Sequence, residues 1–496
     1  MVPFAVGRRI EILAIVLVLI LAAFSRLYRI GDYMTFLGDE GRDAIVVRDI
    51  VLGRHFPLIG PGTSVGSMYL GPLYYYLIAP SLFISDLSPV GPSVFVAILG
   101  IATVAMILYI SKDWFGFIPA IAISTLYAIS PVVIIYSRSS WNPNVMPFFA
   151  LLTMFSVYKI WQSQNWRWLI VTAVSLAFVL NSHYLGLLLL PPVFFFILIS
   201  KNLLPSKRLI IKSLAIFCFL MSPLLFFDIR HSWTNFTALK TFFTNRETTV
   251  NLKAYKAIPN IWPIWQDVNT SLLAGGQKQL GQIVSVALLS FSLVLLIKQL
   301  ATKTIDPKFV FILVWLLSGL VGLGLYKQHI YAHYFGFIFP APFFLLGYFF
   351  SAARKSNFVL KVLLAVLFLI ILAAMIQSHP LRSSPNRQLF LTQRVSRYIT
   401  EQSGGQPFNL ALLAKSNYDA GYRYFFYLEN SPYFTIHQKI TDQLFVICEL
   451  ESRAACEPIN NPLWEIASFG WAKIDVEWEL AGGVRIFRLV HNPTGS

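Results

Sequence analysis

Apolar residues along this chain fall into long unbroken runs rather than into narrow stripes. Residues 13–27, 94–110, 118–136 and 362–375 carry almost no charge over lengths near those a helix needs to cross hydrocarbon. Lysine and arginine gather between such runs, at Arg8/Arg9, Lys112, Lys159/Arg167, Lys201/Lys207/Arg208, Lys298/Lys303/Lys308 and Arg354/Lys355. If these are inner loops under the positive-inside rule, they alternate with outer segments at 137–144, 182–186, 229–278 and 327–334. Residues 28–91 then lie outside as a whole, because the first run and the 94–110 run both border them. The apolar stretch 72–84, short and holding Pro72 and Pro80, is therefore expected to be a juxtamembrane or re-entrant helix. This predicts an all-α polytopic membrane protein of about eleven transmembrane helices, with juxtamembrane helices in the first outer loop.

Beyond Ile376 the pattern changes to mixed charge, Gly-Gly pairs at 404–405 and 482–483, and alternation at 443–448 and 484–489. The expectation is a transmembrane core over 1–376 and a small α+β extracytoplasmic domain over 377–496. Arg8 and Arg9 precede an apolar stretch without a small-x-small cleavage pattern, so the first helix is read as uncleaved. The protein is then integral to the plasma (inner) membrane, with its N-terminus cytoplasmic.

Composition agrees: 12% of residues are charged, 56% are hydrophobic and mean hydropathy is +0.64, against about a quarter charged in soluble domains. The net charge of +16 is spread over short loops instead of one soluble face, which argues against nucleic acid as a partner. Among the three cysteines, Cys218 sits in an apolar helix and reads as packing. Cys448 and Cys456 are close enough for a disulfide, and two buried thiols remain an equal alternative. No Cys/His spacing resembles a zinc site. Asn235 and Asn269 match the short glycosylation pattern, which also arises by chance.

Candidate chemistry collects in the outer segments. Gly38-Asp39-Glu40-Gly41 follows the first helix and precedes a stretch with helical spacing, which sets Asp39 and Glu40 at a helix N-terminus. An Asp N-cap on an interfacial helix and a catalytic carboxylate both fit that position. Tyr69-Leu70-Gly71-Pro72-Leu73-Tyr74 is a Gly-Pro turn opening an aromatic helix, suited to a sugar or isoprenoid groove. Arg138 is the one basic residue of its outer loop and sits at membrane depth beside Asn142 and Asn144. Such a charge needs a partner, either a first-loop acid or an anionic ligand such as phosphate. Lys327, with His329 and His333, repeats the theme. The two histidines are four apart, but no third metal ligand accompanies them, so hydrogen bonding or anion contact is preferred. Asn181-Ser182-His183-Tyr184 interrupts an apolar run and marks another polar pocket edge, where a satisfied structural histidine is the first expectation for His183.

At these residues the chain resembles the C-type integral-membrane glycosyltransferases, specifically the protein O-mannosyltransferase and aminoarabinose-transferase superfamily (glycosyltransferase family 39). The similarity rests on Gly38-Asp39-Glu40, Gly71-Pro72-Leu73-Tyr74-Tyr75-Tyr76, Ser130-Pro131 with Tyr136-Ser137-Arg138, and His333-Tyr334 before Pro340 and Pro342. The resemblance implies a polyprenyl-phosphate-linked sugar as donor, an outward-facing site and inversion at the anomeric carbon. The acceptor would be a hydroxyl on a lipid, glycan or protein, and membrane lipids surround the core. It implies no cofactor and leaves a divalent metal open. Carried over, Asp39 is the base with Glu40 its neighbour. Arg138, Lys327 and His333 approach the donor phosphate, and Tyr69, Tyr74, Asn142, Asn144, His183 and His329 line the substrate pocket. Relatives often carry an acid where Asn142 and Asn144 stand, which puts the acceptor side in question. Two other readings are a transporter or flippase of lipid-linked sugars and a membrane scaffold presenting the C-terminal domain. A flippase would hold its acids within crossing helices near the midplane, whereas these lie in outer loops.

Overall fold

The computed structural model describes residues 2–492 except 64–67, 201–204, 245–248, 252, 355 and 481, and the side chains from residue 8 onward. Lys201 and Lys355, assigned above to inner loops, lie outside the described residues. The chain forms two compact units, Met1–Ile30 with Phe56–Ser384, and Gly31–His55 with Pro385–Ser496. Composition draws a boundary at 376/377. By packing, residues 377–384 stay with the first unit and the acidic segment after the first helix joins the second.

The first unit is helical and belongs to an integral membrane protein. Among the described residues, seven helices are long and apolar enough to cross a membrane, and the pair Ala332–Ile338 and Pro340–Ala353, bent by 53°, makes eight if it is one span and not a re-entrant loop. Phe117–Ile129, Trp168–Ser182 and Tyr184–Leu198 are shorter apolar helices standing where the sequence predicts further crossings. Leu73–Ile84 is the remaining short one, 12 residues with Pro80 inside. Its length of about 18 Å falls well below a hydrocarbon core of about 30 Å.

Lipid gives helices no hydrophobic reason to associate, so polar pairs and small residues hold them. Thr153 donates to Ser175 at 2.8 Å, and Ser156 pairs with Thr172 at 2.7 Å, joining Met146–Ser163 to Trp168–Ser182. At one end of the unit Lys112 bonds Glu11 at 2.8 Å and Lys308 Nζ donates to the Trp114 carbonyl at 2.9 Å. These are residues that charge parity assigns to the inner side. Cys218 is exposed, on a helix with little of its surface buried, so the packing role expected for it is not there. Asn235 and Asn269 are both buried, and Asn235 Oδ1 accepts the Tyr69 amide at 2.6 Å. Neither asparagine is presented to a glycan-transferring enzyme.

The second unit is a four-stranded sheet with helices. The strands are β1 (Asn409–Leu413), β2 (Gln443–Cys448), β3 (Ala472–Glu479) and β4 (Arg485–His491), in spatial order β1-β2-β4-β3. β1 and β2 are parallel and the other pairs antiparallel. Two cores lie on the two faces of the sheet. Phe445 and Ile447 of β2 pack with Val395, Ile399, Tyr422 and Phe426 on one. Leu444, Val446 and Cys448 pack with Cys456, Ile466 and Phe469 on the other. β2 is thus buried throughout, whereas the edge strand β3 alternates with solvent. Cys448 and Cys456 form a disulfide, which resolves the two alternatives left open by their spacing.

Candidate functional site

The acidic pair opens the helix Gly38–Val51. Glu40, not Asp39, satisfies the helix start: its Oε2 accepts the Leu37 amide at 3.0 Å, the carboxylate half of a capping box. The Gly38 amide is taken by Asn417 Oδ1 at 2.8 Å, and Asn417 is in turn held by Glu449. Glycine is needed on both sides of the pair. A Cβ on Gly38 would overlap the Tyr418 ring, and one on Gly41 would overlap the backbone of Gly421. Close backbone approach at Gly41 and Gly421 brings Gly38–Val51 against the helix Ala420–Leu428.

Asp39 is left without a backbone duty. Its Oδ1 accepts from Arg42 at 2.7 Å and from the Tyr418 hydroxyl at 2.9 Å, while Oδ2 takes no bond among the described residues. The side chain is 40% exposed. Two donors hold one oxygen of this half-exposed side chain and leave the other without a hydrogen bond among the described residues. Burial drives the Tyr418 hydroxyl well above its ordinary range, so it remains a donor. Burial, aided by the charges of Asp39 and Asp43 and opposed by the Leu37 amide, pushes the Glu40 carboxyl up to about 7. Neighbouring carboxyls with different surroundings in this way are the usual means of dividing acid–base roles.

The membrane unit collects the remaining candidates into separate groups. Arg138 is buried and donates to the carbonyls of Ser25 at 3.2 Å and Tyr28 at 2.7 Å. Next to it lies Arg26, fully buried, which bonds the carbonyls of Ala22 and Ala128 and leaves Nε and one terminal nitrogen without a hydrogen-bond partner. His379 Nε2 is 3.3 Å from Ser25 Oγ. Burial, then the Arg138 and Arg26 charges, hold this imidazole below its ordinary value. Two guanidiniums so close make a buried cationic centre.

Lys327 and His329 line a cavity of about 730 Å³ with Asn260, Asp267, Gln328 and Phe335. His333 stands apart from them, packed on Trp141 with ring centroids 4.4 Å apart and near His183 at 6.1 Å. Asn142 Nδ2 donates to the Ser182 carbonyl at 2.7 Å and Asn144 Nδ2 to the Ser139 carbonyl at 2.8 Å. Tyr74 is buried with its hydroxyl on Ser140 at 2.7 Å, and Tyr69 packs edge-on against Phe227. The Gly71-Pro72 turn has a local cause as well, since a Cβ on Gly71 would overlap Asn181 Oδ1. Among the described residues no group of three or more His, Cys, Asp or Glu stands within reach of a common metal ion.

Sequence reasoning missed Tyr418, Asn417, Arg26, His379 and Asp267. Arg26 carries the same signal that singled out Arg138, a cation at the outer end of an apolar run. The others are visible only once the chain is folded.

The sequence profile of the dolichyl-phosphate-mannose-protein mannosyltransferase family matches residues 70–227. No curated protein matches by sequence. Among solved structures, ArnT from Cupriavidus metallidurans bound to undecaprenyl phosphate superposes with a TM-score of 0.59 at 10% identity, over 96% of this chain and 97% of that one. The archaeal oligosaccharyltransferase AglB from Archaeoglobus fulgidus, in complex with an inhibitory peptide and a dolichol-phosphate, gives 0.52 at 11% identity, over 84% of this chain and 64% of that one. The chain is therefore a polytopic membrane protein with the fold of the C-type glycosyltransferases. The profile match takes in Gly71-Pro72-Leu73-Tyr74-Tyr75-Tyr76 and Tyr136-Ser137-Arg138 of the resemblance read from the sequence, whereas Gly38-Asp39-Glu40 and His333-Tyr334 lie outside it.

Proposed function

We propose that this chain is an inverting glycosyltransferase that moves a sugar from a polyprenyl-phosphate donor to a hydroxyl acceptor on the outer face of the membrane. The observation that supports the reading is the state of Asp39, held through Oδ1 by Tyr418 and Arg42 with Oδ2 unbonded among the described residues. An inverting transfer needs one base on the face opposite the leaving group. In this reading Asp39 Oδ2 takes the acceptor hydroxyl proton as the acceptor oxygen bonds the anomeric carbon. The bond from that carbon to the phosphate oxygen breaks, and polyprenyl phosphate departs with the electron pair. Phosphate leaves well without protonation, so cations serve in place of a general acid. Arg138 is the cation proposed for that role, with the Arg26 donors that lack a partner among the described residues adding to the field around it, and Lys327, which lines a separate cavity, is proposed as a second. One well-placed donor is worth about 3–4 kcal/mol of transition-state stabilisation. His333, His183 and His329 shape the surroundings of the sugar in this scheme, and Tyr418 positions the base.

The test is release of polyprenyl phosphate by the purified full-length protein, followed by mass spectrometry over a set of polyprenyl-phosphate sugars. One donor should be turned over, and Asp39→Asn should abolish that turnover while donor binding persists. Near-normal turnover in the variant rejects Asp39 as the base.

A further inference from the structure

A second cavity lies in the membrane unit at the end that charge parity assigns to the inside. It is a groove of about 490 Å³ between the helices Phe117–Ile129, Pro340–Ala353 and Phe358–Gln377. Its walls are apolar, formed by Ile118, Ala122, Phe350, Leu364, Ala365 and Phe368, and its polar lining residues are Arg354 and Lys361. Among the described residues no acidic side chain lines it. Neither cation has a side-chain hydrogen bond or ion pair among the described residues. The neighbouring cations at this end do: Lys112 is bonded to Glu11 and Lys308 to the Trp114 carbonyl.

Gly116 shapes the head of the groove. Its φ of +87° makes the turn into Phe117–Ile129, and a Cβ there would meet an Arg354 nitrogen at 2.9 Å. The glycine therefore lets the guanidinium lie across the start of that helix. This helix start has no side-chain cap and no acid in its first turn, so the amides of Phe117 and Ile118, the third position being Pro119, add partial positive charge beside Arg354.

We propose that the groove is a binding site for an anionic glycerophospholipid of the inner leaflet. One acyl chain lies along the apolar walls, and the phosphate is held between Arg354, Lys361 and the amides opening Phe117–Ile129. The headgroup carries the net negative charge that the two cations lack elsewhere, and the tail matches the lining. Planar guanidinium and phosphate are geometrically suited. A zwitterionic lipid presents a compensating cation and is disfavoured by the same charges. This site is independent of glycosyl transfer.

Native mass spectrometry of the full-length protein in detergent tests the proposal with phosphatidylglycerol, phosphatidylcholine of the same chains, and a polyprenyl phosphate as probes. The wild type should prefer phosphatidylglycerol to phosphatidylcholine by at least about tenfold, since two basic groups face the phosphate. Arg354→Gln with Lys361→Gln should erase the preference, whereas Lys207→Gln with Arg208→Gln should keep it. Ala122→Phe, which leaves both cations and fills the groove, should weaken phosphatidylglycerol binding and carries the test if the double variant fails to fold. Equal binding of the two phospholipids, an undiminished preference in Arg354→Gln/Lys361→Gln, or displacement by polyprenyl phosphate at equal concentration overturns the assignment.

Discussion

Replacing Glu40 by glutamine should stabilise the second unit at alkaline pH and leave it nearly unchanged in acid. Glu40 is buried, and its carboxyl is raised from 4.5 to about 7. The folded unit thus binds a proton that the unfolded chain has already released between those values. Stability from this group is complete below the unfolded value, falls as pH rises through about 7, and is lost above it. At about 1.36 kcal/mol per pH unit, the rise from 4.5 to about 7 corresponds to about 3 kcal/mol. Glutamine keeps an oxygen for the Leu37 amide and never ionises, so it escapes that loss. The readout is hydrogen–deuterium exchange of Gly38–Val51 and Ala420–Leu428 in the full-length protein, corrected for the intrinsic pH dependence of exchange. The variant should match wild type at pH 5, and by pH 9 it should exchange about a hundredfold more slowly, if opening is a single cooperative event. A difference that stays constant across that range, or one that favours wild type as pH rises, would refute the argument.

Tyr418→Phe removes one of the two donors on Asp39, at a site exposed enough to discount the bond to about 1–1.5 kcal/mol. Turnover should fall roughly tenfold with KM for the donor unchanged; an unchanged kcat would mean that Arg42 alone orients the base. Gly41→Ala puts a methyl into the Gly421 backbone and should destabilise the second unit by about 1–3 kcal/mol, seen as a lower urea midpoint for exchange in the same two helices. Cys448→Ser with Cys456→Ser opens a bridge of sequence separation 8 and should cost about 2–3 kcal/mol by the same measurement. An unchanged midpoint would show that the buried cores around β2 hold without it.

The membrane helices were legible because hydropathy over a span is a local property, indifferent to which helix lies alongside. The strands at 443–448 and 484–489 were legible for a similar reason. What alternation missed is that β2 sits between β1 and β4 with a core on each face, so Gln443–Cys448 is buried throughout. The membership of Gly31–His55 in the second unit was not legible at all. It depends on contacts such as Gly38 with Asn417 and Asp39 with Tyr418, across 379 residues of chain, and no periodicity reports a pairing at that separation. Arg26 was passed over for another reason. A cation ending an apolar run is normally expected to snorkel to the interface, whereas here it is fully buried against Ala22 and Ala128.

Gly38-Asp39-Glu40-Gly41 distinguishes a helix cap from a catalyst by the way its duties are divided. The two glycines are required by contact, one under the Tyr418 ring and one against Gly421. Glu40 supplies the acceptor that the helix start requires, and it is buried in doing so. Asp39 has no such duty, since among the described residues no backbone amide bonds to its carboxylate. Arg42 reaches that carboxylate with one terminal nitrogen while its Nε and other terminal nitrogen bond the buried Asp43, and Tyr418 donates to the same Asp39 oxygen. Ordering an exposed side chain costs entropy that a surface ion pair scarcely repays. The arrangement makes physical sense if the free oxygen must point in one direction, which is the requirement on a general base. The proposed role of Asp39 as base draws its support from this division of duties, with Glu40 at the helix start and Asp39 free of it.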